Sequence, residues 1–213
     1  YNATGSHNTF VGQDAGKGSD GAPFSSGQFN TAVGSAALTA FTTGINNNAF
    51  GVNAGNEITT GQDNAIFGYE AGSELKDDSF NTLIGNYAGF LAESSENVAV
   101  GYEAMGGAAA TGTGNVVVGY RAALNFTTAH SNVVMGQQAH QLKITGNGNT
   151  ALGHEAGQYN IIGSDTVHVG DTAGRYATGS FNTFVGKAAG TGGTTSAPYS
   201  SGEGNVALGY STL

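Results

Sequence analysis

The chain has 213 residues, of which 37 are glycine and two proline, with neither cysteine nor tryptophan. The missing cysteines exclude a disulfide-stapled domain, thiolate metal sites and thiol catalysis, and the glycines fall on no three-residue period, which excludes a collagen helix. Fifteen acids against six bases give a net charge of −9, which opposes binding to nucleic acid or to an anionic membrane surface, since both need basic groups to displace counterions.

Only 41 residues are Leu, Ile, Val or Phe, a share so low that folding depends on how they are arranged. They recur on one period. A pentad N-x-x-x-G runs along the chain as Asn8 to Gly12, Asn30 to Gly34, Asn47 to Gly51, Asn64 to Gly68, Asn81 to Gly85 and Asn97 to Gly101. It continues as Asn115 to Gly119, Asn132 to Gly136, Asn149 to Gly153, Thr166 to Gly170, Asn182 to Gly186 and Asn205 to Gly209. Nine of the eleven glycine-to-glycine steps lie within one residue of 17. A unit this short suits one coil of a β-solenoid: a strand, a turn, a shorter strand and a turn. The residues 1–213 therefore read as a single repeat domain of about twelve coils of 16–18 residues. At ~4.8 Å per stacked strand it makes a rod of roughly 55 Å.

Each slot of the unit has its own chemistry. The residue before the anchor glycine is always apolar: Val11, Val33, Phe50, Phe67, Ile84, Val100, Val118, Met135, Leu152, Val169, Val185 and Leu208. These twelve are the predicted core. The residue before each of them points to the opposite face and is also apolar, from Phe10 and Ala32 through Phe184 and Ala207, with His168 alone breaking the row. A strand apolar on both faces is buried on both. A thin coil has one interior, so the second face needs a partner, and another copy of the chain is the simplest one. Alanine stands three residues after the glycine in eleven of twelve units, a slot with room for one methyl group. The asparagine is expected either to stack in a ladder or to bond the backbone at the turn. A second apolar slot, six residues before the asparagine, is broken at Lys143 and Asn160, where Ile144 and Ile161 follow one place later.

The units NTAVGSAA (30–37), NVAVGYEA (97–104), NVVVGYRA (115–122) and NTALGHEA (149–156) resemble the head repeats of YadA-like trimeric autotransporter adhesins and the equivalent repeats of bacteriophage tail fibres. The resemblance covers essentially the whole chain. It implies a left-handed parallel β-roll, an interwound homotrimer, and a role in attachment to a cell-surface glycan or protein receptor from an extracellular position on a virion fibre or bacterial cell. Units here are somewhat longer than the usual head repeat. The absence of a leader at Tyr1 and the lack of capping coils lead us to expect a segment of a longer fibre.

Two long units insert residues 17–23 and 191–198, and both inserts run into the similar text Ala22-Pro23-Phe24-Ser25-Ser26-Gly27 and Ala197-Pro198-Tyr199-Ser200-Ser201-Gly202. Pro23, Phe24, Pro198 and Tyr199 are candidate binding loops, because loops on rigid scaffolds carry function. Tyr69, Tyr102, Tyr120 and Tyr210 each follow an anchor glycine and are expected to form an exposed aromatic edge suited to stacking on sugars. Acids at Asp14, Glu70, Glu103 and Glu155 recur two residues after the glycine, which reads as a solvated face rather than a catalytic pair. The five histidines fall in different slots and form no ladder. No catalytic residue, metal ligand or cofactor is expected, and no segment for membrane insertion. The competing readings are a subunit of an extracellular filament, a monomeric solenoid such as an ice-binding protein, and, least favoured, a glycan depolymerase.

Overall fold

The computed structural model describes residues 4–18, 25–193 and 200–213. Twelve three-residue strands form one parallel sheet in sequence order: β1 Thr9–Val11, β2 Thr31–Val33, β3 Asn48–Phe50, β4 Ala65–Phe67, β5 Thr82–Ile84, β6 Val98–Val100, β7 Val116–Val118, β8 Val133–Met135, β9 Thr150–Leu152, β10 Val167–Val169, β11 Thr183–Val185 and β12 Val206–Leu208. The described residues contain no helix. The protein is an all-β parallel solenoid with one strand per repeat. Like slots meet like slots throughout the register, as in Val116↔Val133, Val117↔Val134 and Val118↔Met135. Each inner strand pairs on both sides within its own chain, so the backbone is satisfied in cis without any exchange of strands between copies.

The expected second strand of each coil does not form. Between described residues, the far side carries the isolated bridges Ala92↔Ala110 and Ala177↔Ser200. The reason is conformational. The second and fourth residues after the anchor glycine take positive φ, as in Ala36 (57°) and Leu38 (49°), or Glu103 (52°) and Met105 (53°), and so does the residue before the asparagine, as in Phe80 (63°). These left-handed corners fold the chain too tightly for an extended run. Coil-to-coil hydrogen bonds such as Leu38 N–H to Ala54 O (3.1 Å) and Thr42 N–H to Thr59 O (2.9 Å) satisfy the corner backbone instead. The anchor glycine is required twice over at Gly68. Its φ is +143°, and a Cβ there would lie 2.4 Å from the carbonyl oxygen of Gly85 in the next coil.

The strand faces are inverted relative to the predicted core. The middle residue of each strand points into the coil: Ala32, Ala49, Ile66, Leu83, Ala99, Val117, Val134 and Ala151 are fully buried, and so is His168. The twelve residues before the anchor glycines lie on the outer face, and none is buried. Val11, Phe67, Ile84, Met135 and Leu208 are exposed, and Val33, Phe50, Val100, Val118, Leu152, Val169 and Val185 are half-buried. Both faces are apolar as read, but the enclosed one is the middle slot. Alternation allows only one face inside, and the coil closes on the side of the alanine slot, whose eleven alanines are all buried.

The interior balances volume between the mid-strand slot and the fourth residue after the glycine. Small pairs with large, as in Ala32 with Leu38 and Ala99 with Met105, and large pairs with glycine, as in Ile66 with Gly72, Leu83 with Gly89 and Phe184 with Gly190. Interdigitation of this kind fills a narrow core without voids. The second apolar slot also differs from expectation. Lys143 and Asn160 themselves enter the interior and are fully buried, while Ile144 is exposed and Ile161 half-buried. In three other coils the buried residue is Ala92, Ala110 or Ala177, one place after Leu91, Ala109 and Tyr176.

The asparagines do both things expected of them. Along the ladder an asparagine bonds its predecessor and the backbone together. Asn115 Nδ2 donates to Asn97 Oδ1 (3.1 Å) and to Ala129 O (2.8 Å), while its Oδ1 accepts from the N–H and Nδ2 of Asn132 (3.1 and 2.9 Å). The ladder runs inside the rod from Asn8 to Asn149. Thr166 then donates its hydroxyl to Asn149 Oδ1 (2.7 Å), and the ladder resumes between Asn182 and Asn205.

Candidate functional site

The residue after an anchor glycine leaves the strand at a coil edge, so identical positions in successive coils form a column. In four consecutive coils this edge is aromatic. Tyr69 packs edge-on against Tyr87 (5.3 Å between centroids), Tyr87 against Tyr102 (5.9 Å), and Tyr102 stacks on Tyr120 (5.7 Å, 13° between planes). Phe90 buttresses Tyr87 at 5.6 Å. Tyr69, Tyr102 and Tyr120 remain about 40% exposed (40, 40 and 43%), leaving ring surface available to a ligand.

The structure thus joins three of the four tyrosines singled out from the sequence. Tyr87 completes the ladder and was missed, because it stands two residues after its glycine rather than one. The signal was Asn86, which fills the tyrosine slot and accepts the Tyr69 N–H at 3.0 Å. Tyr210 lies apart in the last described coil, 76% exposed, separated from Tyr120 by coils carrying Gln137, His154, Asp171 and Lys187. A second, shorter aromatic pair, Tyr159 on Tyr176 at 4.9 Å, sits beneath the Arg175 guanidinium. The proposed loop residues Pro23, Phe24, Pro198 and Tyr199 lie outside the described residues.

Polar groups border the ladder. Hydrogen bonding to the Glu70 carboxylate, together with its charge, pushes the Tyr69 hydroxyl up to about 12. The Tyr102 hydroxyl is raised in the same way by Glu103. Arg121 binds Glu103 through Nε at 2.6 Å and lies 5.3 Å over the Tyr120 ring. Glu155 pairs with Arg175 at 3.0 Å. Two of the recurring acids, Glu103 and Glu155, are thus paired with arginines of neighbouring coils. Aromatic faces flanked by carboxylate, guanidinium and hydroxyl groups offer the stacking and hydrogen-bonding mixture that sugars use.

A separate polar cluster lies inside the rod. His140 and His168, read as belonging to unrelated slots, meet with ring centroids 5.7 Å apart. His168 takes the mid-strand slot and His140 the fourth position after the glycine, and both slots point inward. Gly157, where a Cβ would fall 2.3 Å from one ring and 2.5 Å from the other, leaves room for them. All four ring nitrogens are buried without hydrogen-bond partners. Burial, assisted by the Lys143 charge, lowers His168 to about 3, and His140 is held well below its ordinary value by burial first and then by the charges of Lys143 and His168. Lys143 is brought down to about 7 by burial. Among the described residues, no group of three or more His, Asp or Glu side chains is arranged to hold a metal ion.

The fold defines the protein as a parallel β-solenoid with an apolar outer strand face and an aromatic edge. Comparison with protein-family models, with curated proteins and with solved structures finds no match.

Proposed function

We propose that the chain is a structural and adhesive segment of a surface-exposed fibre, self-assembled as a homotrimer and attaching to a cell-surface glycan along its tyrosine edge. The observation that carries the reading is the outer strand face. Its two columns, from Thr9 and Val11 to Val206 and Leu208, contain no charged residue over twelve rungs. At ~4.8 Å per rung this is an uncharged stripe roughly 50 Å long, with an apolar residue at every rung and with Thr9, Thr31, Asn48, Thr82, Thr150 and Thr183 interrupting one of its columns. Continuous patches of that extent are covered in use, and the Phe50–Phe67 stack (4.7 Å) on this face offers a flat contact to a like surface. Finished rods pack side by side in this assembly, because their strands are already paired. An attachment role calls for a position outside the cell, on a virion or a bacterial surface, where a chain without cysteine carries no stray thiols.

Two measurements test the reading. Light scattering after size exclusion should give about 64 kDa, three times the 21.3 kDa chain, and Val118→Asp on the outer face should return the particle to the single-chain mass with its β-type circular dichroism intact. A wild-type mass of 21.3 kDa rejects the trimer and favours the monomeric solenoid. In a glycan-array screen, Tyr102→Ala and Tyr120→Ala should each weaken retention of a bound glycan by about tenfold, near 1.4 kcal/mol. Retention unchanged in both variants removes the edge as the binding site.

A further inference from the structure

Among the described residues, no other lysine or arginine is buried as Lys143 is. Its ammonium is fully buried and donates to the carbonyl of Gly163 (2.5 Å), with the Asn160 Oδ1 and O atoms at 3.4 and 3.5 Å. No carboxylate pairs with it among the described residues, and burial without an opposing charge is what depresses its basicity. An isolated buried ammonium is among the costliest groups a core can hold. The interior elsewhere takes Phe41, Ile58, Leu75 or Phe126 in this slot, so ordinary packing gives no reason for a lysine.

Asn160 supplies one. It fills the same slot in the next coil and is fully buried. Its Oδ1 accepts the Gly163 N–H at 2.8 Å, and its Nδ2 lies 3.5 Å from Thr166 Oγ1. A neutral amine beside a polarised carboxamide, in a site closed to water, is an acyl-transfer arrangement. We propose that Lys143 and Asn160 join in an intramolecular isopeptide bond that staples adjacent coils from inside the rod. The Lys143 ammonium first gives up its third proton to solvent, a loss that burial favours, and the freed Nζ lone pair then attacks Asn160 Cγ while the Gly163 N–H stabilises the developing charge on Oδ1. The Nζ–Cγ bond forms and the Cγ–Nδ2 bond breaks. One Nζ proton passes to Nδ2, which leaves as ammonia, and the second stays on the new amide. The transfer is direct, because burial holds His140 and His168, in the same stretch of interior, too weakly basic to take a proton from an amine. No oxidant, metal or cofactor is consumed. The product is a neutral amide in place of a buried cation.

Mass spectrometry of the purified chain under denaturing conditions tests this directly. The chain should be lighter than its sequence by one ammonia. Trypsin should fail to cut after Lys143, so that residues 122–175, bounded by Arg121 and Arg175, appear as one peptide lacking ammonia and carrying an internal loop. Lys143→Arg should restore the full mass expected for its own sequence. An unmodified mass with Lys143 cleavable and open to amine labelling after denaturation overturns the proposal. So does an ammonia loss that persists in Lys143→Arg or maps to a linear peptide, as a succinimide at Asn147-Gly148 would give. The wild-type peptide map decides the matter even if a variant fails to fold.

Discussion

Replacing Asn115 with alanine is expected to lower the unfolding free energy by about 2–4 kcal/mol, a loss set by the polar groups left behind rather than by the volume removed. Asn115 makes four ladder and backbone bonds inside the rod. Without its amide, Ala129 O and the Asn132 N–H lose these partners in a dry interior, while Asn132 Nδ2 keeps His130 O and Gly146 O. Asn115→Thr should cost less, because Thr166 already shows a hydroxyl reaching the preceding asparagine oxygen at 2.7 Å. Urea midpoints followed by circular dichroism measure both variants. Hydrogen exchange should place the lost protection in the coils around β7 and β8, since solenoid stability is a sum over neighbouring repeats. A loss below about 0.5 kcal/mol for alanine, within the range of ordinary surface substitutions, would show that the ladder is not what holds the coils in register.

The second large effect is on pH dependence and is carried by His168. Its folded-state value is lowered to about 3, whereas an unfolded histidine titrates near 6.5. The unfolded chain therefore takes the proton first as pH falls. Stability contributed by the neutral ring is fully present above about 6.5 and declines as pH drops towards 3. Between pH 7.5 and 4.5 the loss from His168 alone is about 2–3 kcal/mol. His140, shifted in the same direction by burial and by the Lys143 and His168 charges, adds to it. His168→Phe should remove the His168 share of this slope, leaving that of His140, and raise stability at neutral pH. Phe10 and Phe184 occupy the same slot in other coils, and Gly174 faces it as Gly190 faces Phe184. The existing parallel contact with Phe184, at 5.5 Å, would be kept. Urea midpoints at pH 4.5 and 7.5 read the result. An acid sensitivity equal to that of the wild type would mean that the histidine pair is not the acid-labile point of the rod.

Much of this architecture was legible because a repeat prints each slot many times over. The period near 17 residues pointed to a β-solenoid coil, though to two strands per coil where one forms, and the fixed glycine and alanine slots specified a close turn and a methyl-sized gap. Tyr69, Tyr102 and Tyr120 were recognisable as one edge from their common distance to the anchor glycine. Tyr87 was not, because a one-residue offset hides in sequence what a coil corner brings together in space. The same holds for His140 and His168, whose slots differ but whose directions agree.

The amino-acid sequence by itself determined a parallel β-solenoid, its register and a strand with two apolar faces, and left a ladder and a backbone bond as alternatives for the asparagine. Alternation makes the two faces equivalent on paper. Only the closure of the coil decided that Val117 and its equivalents are enclosed while Val118 and its equivalents look outward. Left-handed corners replaced the second strand, because positive φ at non-glycine residues such as Ala36 and Glu103 is set by the coil-to-coil hydrogen bonds that compensate its cost. The burial of Lys143 beside Asn160 was likewise decided in three dimensions. Position in a rigid stack, rather than the polarity of the side chain, determines which way a residue points once its neighbours above and below are in register.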